Sequence, residues 1–223
     1  MSLLFFDTEF TGLHKDTTLI SLGIVSDDGK KFYAEFTDYD ENQCDEWIEE
    51  NVIKSLVLKP IPHHLNVEEE LEKKRKEGYI IARNPEISRQ GAIMSHSFSN
   101  GYEKGSINCV GTMGWVRYEL KKWLSQFDSI QFVSDVCHYN FVLLIDLLTG
   151  SKTALDLPDN ISAVCHDINS DIARHYGISD KEAFDKSREE IVSELCGHEV
   201  EGTKHNALYD AEVIKAIYDE IKQ

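Results

Sequence analysis

The stretch MSLLFFDTEF, residues 1 to 10, decides the fold: four consecutive apolar residues run straight into two carboxylates with one residue between them. Side chains alternate between the two faces of a strand, so apolar residues at every position from Leu3 to Phe6 predict a central strand covered on both sides. A doubly wound dinucleotide-binding sheet would need a Gly-rich turn directly after such a strand. This chain has Asp7-Thr8-Glu9 there instead.

Outward from that strand, Leu19 to Ser26 and Lys31 to Phe36 are β-rich and flank Asp27-Asp28-Gly29-Lys30, a hairpin turn with Asp-Gly at its middle. Asp45 to Leu56 carries Trp47, Ile48, Val52, Ile53 and Leu56 at helical spacing and predicts an amphipathic helix against the sheet, ended by Pro60 and Pro62. A second, polar helix is expected from Val67 to Glu77, its charge run a solvated face. Residues 78 to 111, rich in Gly, Ser and Asn, read as a long irregular or extended insertion. Arg83, Arg89, His96 and Lys104 within it offer cations for phosphates, with a dimer contact or a lid as alternatives.

Met113 to Phe127 predicts a helix with Trp115, Val116, Leu120, Trp123 and Leu124 as its apolar face, followed by a strand from Ile130 to Ser134. Tyr139 to Leu148 is apolar almost all round and predicts a buried helix. Then come a strand near Ala163 to Ile168, helices near Asn169 to Tyr176 and Lys181 to Leu195, and a last helix to Gln223. The order predicts one α/β domain over residues 1 to 223, a mixed β-sheet with helices on both faces.

With 223 residues and 41% hydrophobic content, the chain can fill one large core. The apolar run before Asp7 is too short for a signal or membrane segment, so a cytoplasmic protein with no membrane partner is expected. The five cysteines form no C-x-x-C pair and suggest neither a disulfide framework nor a zinc ribbon. A net charge of −17 disfavours non-specific binding to long duplexes, which usually needs a basic patch. Short or single-stranded substrates suit it better.

Asp7 and Glu9, two apart on a strand, share one face at its carboxyl end. Burying two carboxylates side by side is costly unless a cation neutralises them, so the pair points to a metal or to raised pKa values. In the last helix Ala207, Asp210, Ile214, Ile217 and Ile221 fall on one stripe, so Asp210 should point inward. Asn206 is the expected N-cap, which leaves His205 in the preceding loop as a general base beside a metal-bound water. Asp135 ends a short strand, while Asn140 begins the buried helix on the stripe of Leu143, Leu144 and Leu147, so both can approach the same centre. Asp146 lies off that stripe and is read as structural or surface.

These segments, F-D-T-E-F, Asp135 to Phe141, and H-N-A-L-Y-D-A, resemble the three motifs of the His-containing DEDD exonucleases, which include the proofreading subunit of DNA polymerase, oligoribonuclease and ribonuclease T. The match is closest to the small bacterial 3'-5' exoribonucleases, whose first strand and first helix resemble LISLGIVSDDGKKFYA and WIEENVI of this chain. The resemblance implies a ribonuclease H-like sheet, two Mg²⁺ or Mn²⁺ ions, 3'-5' hydrolysis of RNA or other single-stranded nucleic acid to nucleoside 5'-monophosphates, and often a homodimer. It assigns Asp7, Glu9, Asp210 and His205 to catalysis, Asp7, Glu9, Asp210 and Asp135 or Asn140 to the metals, and Thr8, Phe10 and Tyr139 to the substrate. One position departs from the pattern: the second motif of these families ends in an aromatic residue and Asp, and here the pair is Tyr139-Asn140. Either Asp135 replaces the missing ligand or metal binding is weakened. A single-stranded DNA exonuclease and a nucleic-acid-binding module that has lost catalysis through Asn140 are the alternatives.

Overall fold

A computed structural model describes residues 1–58, 67–83, 96–100, 105–150, 153–197 and 199–222. The first strand, β1 (Ser2–Phe10), lies inside an eight-stranded sheet with β2 (Leu19–Ser26), β3 (Lys31–Phe36), β4 (Ile80–Arg83), β5 (His96–Asn100), β6 (Ile107–Gly111), β7 (Ile130–Ser134) and β8 (His166–Asp167). The order across the sheet is β4-β5-β6-β3-β2-β1-β7-β8. β1 pairs antiparallel with β2 and parallel with β7, so the sheet is mixed. The hairpin forms at Asp27 to Lys30 as expected, with Gly29 at φ 85°.

The unbroken apolar run of β1 does what it predicts. Leu4 and Phe6 enter a core built with α3 (Met113–Leu124) and α4 (Cys137–Thr149), while Phe5 enters a second core on the opposite face. That second core is closed by α5 (Asn169–Tyr176), α6 (Asp180–Asp185), α7 (Arg188–Cys196) and α8 (Ala207–Ile221). Burying Phe5 or Phe6 completely contributes roughly 2 to 3 kcal/mol each, which fixes β1 at the centre.

Several boundaries differ from the sequence reading. The first helix is only α1 (Glu46–Asn51), followed by a 3-10 turn at Ile53–Ser55, and Trp47 is 54% exposed instead of facing the sheet. Ile48 and Val52 fill that face, and Trp47 stands about 100° round the helix from Ile48. The polar helix is α2 (Val67–Lys76); Pro60 and Pro62 lie outside the described residues. In α4, Val142 faces solvent.

Of the two readings for residues 78 to 111, the extended one holds where they are described: β4, β5 and β6 continue the sheet beyond β3. Their short and partly polar sequences, IIAR and HSFSN among them, carry little alternation, and it is the pairing with neighbouring strands that sets their conformation. The side chains of Arg83, Arg89, His96 and Lys104 lie outside the described residues. β8 is two residues long because β7 ends at Ser134, opposite Asp167.

The helix expected over Lys181 to Leu195 is split at Lys186-Ser187 into α6 and α7. Ser187 caps α7 by accepting from the Glu190 amide, and Arg188 Nη1 donates to the carbonyls of Ala183 and Lys186 at 2.9 Å, satisfying the end of α6. No helix among the described residues is long and apolar enough to cross a membrane.

Candidate metal centre

β1 outruns its parallel neighbour. Its pairing with β7 covers only Ser2 to Phe5, so Asp7 to Phe10 project past the end of β7, where the first turn of α4 takes the place of a strand. On the other side Asp7 lies opposite Gly23 of β2. A Cβ at Gly23 would stand 2.2 Å from the backbone of Ala207, so only glycine lets the first turn of α8 lie this close to the sheet. That close approach brings Asp210 to Asp7. Just beyond Glu9 the β1–β2 register slips, Glu9 facing Ser21 and Phe10 facing Leu19, a bulge of the kind that re-aims side chains beside functional sites.

The result is a group of three carboxylates, Asp7, Glu9 and Asp210, with ligand oxygens all within 4.8 Å of one another. Burial, then the charges of Glu9, Asp210 and Asp135, push the Asp7 pKa well above the usual carboxylate range, against a hydrogen bond from Asn140 that lowers it. Burial and then Glu9, Asp135 and Glu189 push Asp210 up to about 8, opposed by a hydrogen bond from the His205 backbone. Three clustered oxygen donors that repel one another fit a hard divalent cation such as Mg²⁺ or Mn²⁺.

His205 sits where the sequence puts it, immediately before the N-cap of α8. Its Nδ1 is 3.7 Å from Glu9 Oε1, and its ring meets the exposed Trp47 edge-on at 4.9 Å. His205 has φ 63°, a left-handed conformation costing of order 1 kcal/mol. Ser55 Oγ holds it by donating to the His205 carbonyl at 2.5 Å. Asn206 caps α8 as expected, accepting from the Leu208 and Tyr209 amides. Its Nδ2 donates to Tyr33 Oη and to the Ser55 carbonyl, both at 3.1 Å, and Tyr33 donates in turn to the buried Glu35 at 2.9 Å. The loop carrying His205 is therefore fastened from below by Ser55, Tyr33 and Glu35.

Asn140 is 1% exposed and fully engaged. Its Nδ2 donates to Asp7 Oδ1 at 2.6 Å and to Ser134 Oγ at 3.0 Å, while its Oδ1 accepts from Thr8 Oγ1 at 2.9 Å. The amide nitrogen, not the oxygen, faces the carboxylates, since an oxygen there would oppose Asp7. Thr8, assigned to substrate by resemblance, is 3% exposed and spends its hydroxyl on this network. Asp135 is near enough to raise the pKa of Asp7 and Asp210, but it stands outside the three-carboxylate group, its Oδ2 accepting from Arg188 Nε at 2.9 Å. Phe10 and Tyr139 stack at 5.5 Å with 13° between their planes.

An open cleft of about 480 Å³ surrounds the carboxylates, rimmed by Phe10, Phe184, Lys186, Arg188 and Lys204. Next to it a groove of about 360 Å³ runs past Glu9 between Phe10, Leu13, Trp47 and Ile48. Sequence reasoning assigned no role to Gly23, Arg188, Ser55 or Glu35. Trp47 was visible only as an apolar residue, and its neighbour His205 lies far away in the chain.

No protein-family model matches the chain. A solved 3'-exonuclease, engaged in 3'-end-specific recognition of a histone mRNA stem-loop, superposes on 99% of this chain and 62% of its own, with TM-score 0.54 and 10% identity. The fold is ribonuclease H-like. Pop2p of S. pombe, in its Mg²⁺- and Mn²⁺-bound form, aligns with TM-score 0.49 and 15% identity over 99% of this chain and 82% of that one. In sequence, 52 residues of the chain are 36% identical to a 3'-5' exoribonuclease of Mycobacterium tuberculosis, the same match recurring in strains CDC 1551 and H37Rv. That stretch is 23% of this chain and spans 31% of each relative, under a third of their length. Within the ribonuclease H-like sheet of this chain, the carboxylates lie at the end of its central strand.

Proposed function

We propose that the chain is a metal-dependent 3'-5' exoribonuclease that shortens single-stranded or short RNA and releases nucleoside 5'-monophosphates. The observation that carries this reading is the meeting of Asp7, Glu9 and Asp210 from two distant segments, with His205 beside Glu9. Asp7, Glu9 and Asp210 would hold the Mg²⁺ or Mn²⁺ ions, which when bound sharpen a water nucleophile and stabilise the leaving 3'-oxygen. The name of the curated relatives supports RNA as the substrate over DNA.

The chain's own residues supply the rest. With Nδ1 of His205 directed at Glu9, its Nε2 is left to take the proton of the attacking water. Asn140 fixes the carboxylate of Asp7, and Arg188 neutralises Asp135 so that it adds less repulsion to the cluster. The groove of Phe10, Leu13 and Trp47 gives a base an apolar, partly aromatic seat, and Lys186 and Lys204 on the cleft rim can meet phosphates.

End-labelled RNA and DNA test the reading. RNA blocked at its 3' end should resist, RNA blocked at its 5' end should shorten one nucleotide at a time in Mn²⁺, and DNA should be cut more slowly. Internal cuts, or release from the 5' end, would refute an exonuclease of this polarity.

A second reading, a binding module with attenuated catalysis, is favoured by one observation: Asn140 brings a neutral donor to Asp7 where the resembled families have a carboxylate. Asn140→Asp discriminates. A gain in turnover and Mn²⁺ affinity marks the natural site as attenuated, and no gain marks Asn140 as scaffold. Asp135→Asn should matter less than Asn140→Asp, because Asp135 is already committed to Arg188.

A further inference from the structure

We propose that Cys137 and Cys165 form an oxidisable dithiol, a site at which a low-molecular-weight disulfide converts two thiols into an intramolecular disulfide. The two residues are 28 apart in sequence and come from different elements, yet their sulfurs lie 3.0 Å apart. Cys137 is the first residue of α4, and Cys165 immediately precedes β8. A disulfide needs sulfurs about 2.05 Å apart, so closure asks for a movement of about 1 Å at side chains that are only partly buried. Among the described residues none of the five cysteines is in a disulfide, so both thiols of the pair are available.

The surroundings favour contact between the sulfurs over separate packing. Cys137 Sγ lies 3.4 Å from both the Ser134 and the His166 carbonyl oxygens, so the ends of β7 and β8 hold it against Cys165. The position also matters. Cys137 stands three residues before Asn140, whose amide holds Asp7, so a link to Cys165 would fasten the first turn of α4 to the strand beside it.

The chemistry balances with oxidised glutathione as the oxidant. One protein thiol, as thiolate, attacks the disulfide to give a mixed disulfide and one released glutathione thiol. The second protein thiol then displaces the second glutathione, and the two protons lost by the protein end on the two reduced glutathiones. The protein is oxidised by two electrons and the glutathione disulfide is reduced by two.

The full-length chain, first reduced and freed of reductant, is incubated with oxidised glutathione. Its thiols are then counted, and its unreduced peptides are mapped by mass spectrometry. The expected result is a fall from five free thiols to three, a mass loss of about 2 Da, a linked peptide joining Cys137 to Cys165, and full reversal by dithiothreitol. Cys137→Ser and Cys165→Ser should each abolish the link and trap glutathione on the surviving partner, while Cys196→Ser should keep it. Retention of all five thiols, a stable mixed disulfide at either position in the unsubstituted chain, or links through other cysteines or between chains would overturn the proposal.

Discussion

Two regions of this molecule bury carboxylates on the same face of the sheet and treat them in opposite ways. Asp171 in α5 is 1% exposed and is surrounded by hydrogen-bonding partners: His166 Nε2 lies 2.6 Å from its Oδ2, while Lys222 Nζ, at 3.0 Å, and Arg174 both pair with its Oδ1. Burial alone would raise its pKa, but hydrogen bonds from His166 and Lys222 hold it below the usual value. At the end of β1 the balance is reversed, with Asp7, Glu9 and Asp210 facing one another and the pKa values of Asp7 and Asp210 raised. The fold can satisfy a buried acid with its own side chains when stability requires it. Leaving three acids mutually repelling makes sense where positive charge comes from outside.

The largest test of that contrast is removal of an acid from the cluster. Displacing partners of metal ligands typically costs 10- to 100-fold in affinity, so Asp7→Asn and Asp210→Asn should each lower Mn²⁺ affinity by more than about 100-fold and abolish turnover. Without metal, both variants should be at least as stable as the parent, because each removes repulsion. A loss of metal-free stability with unchanged Mn²⁺ affinity would make the cluster an ordinary structural feature.

The two histidines sharpen the comparison. His205 stands 3.7 Å from Glu9 without a hydrogen bond to it, whereas His166 is bonded to Asp171. His205→Ala should therefore reduce turnover roughly 10²- to 10⁴-fold with little change in Mn²⁺ affinity. His166→Ala should leave turnover nearly unchanged. Equal effects of the two substitutions in a turnover assay would remove His205 from its proposed role.

Smaller in scale, Asp171→Asn should cost about 2 kcal/mol of stability in denaturant titration, the usual worth of hydrogen bonds to a charged group, and should leave activity intact. The partners it would strand, His166, Lys222 and Arg174, are partly exposed and can be rehydrated, which limits the loss.

A further effect is in pH. Asp7 and Asp210 have folded pKa values above their unfolded ones, so between about pH 4 and pH 8 the unfolded chain releases protons that the folded chain keeps. Their contribution to metal-free stability therefore falls as pH rises through that window. Asp171 behaves in the opposite sense: its contribution is present above its unfolded pKa and is lost as pH falls. Melting curves of the metal-free parent and Asp210→Asn from pH 5 to pH 8 should differ in slope, the variant being flatter. Parallel slopes would contradict the raised Asp210 pKa.

How much of this was legible in the sequence follows from the range of each signal. The period-2 placement of Asp7 and Glu9, the helical stripe under Asp210 and the N-cap Asn206 are local patterns, and the structure holds all three. Trp47 was misplaced because a helix of six residues has room for one buried face, taken by Ile48, while the His205 it touches lies more than 150 residues away. Gly23 gave no sign of its role, since the backbone of Ala207 that it must accommodate is contributed by the last helix. The break between α6 and α7 was hidden because its stabilising contacts come from Arg188, whose guanidinium also reaches Asp135 from another part of the chain. The strands β4 and β5 carry too little alternation to be read before their pairing is known.

The central claim is that the carboxylates at the end of β1 are held for divalent cations, and thermal unfolding at pH 8 tests it most directly. At Mn²⁺ about a hundredfold above its dissociation constant, binding to the folded state adds about 2.7 kcal/mol, which for a chain of this size raises the melting temperature by roughly 5 to 10 °C. The account predicts that rise in the parent, its reversal by EDTA, and its absence in Asp210→Asn. An unchanged melting temperature in the parent with saturating Mn²⁺, or an equal rise in parent and variant, would contradict it.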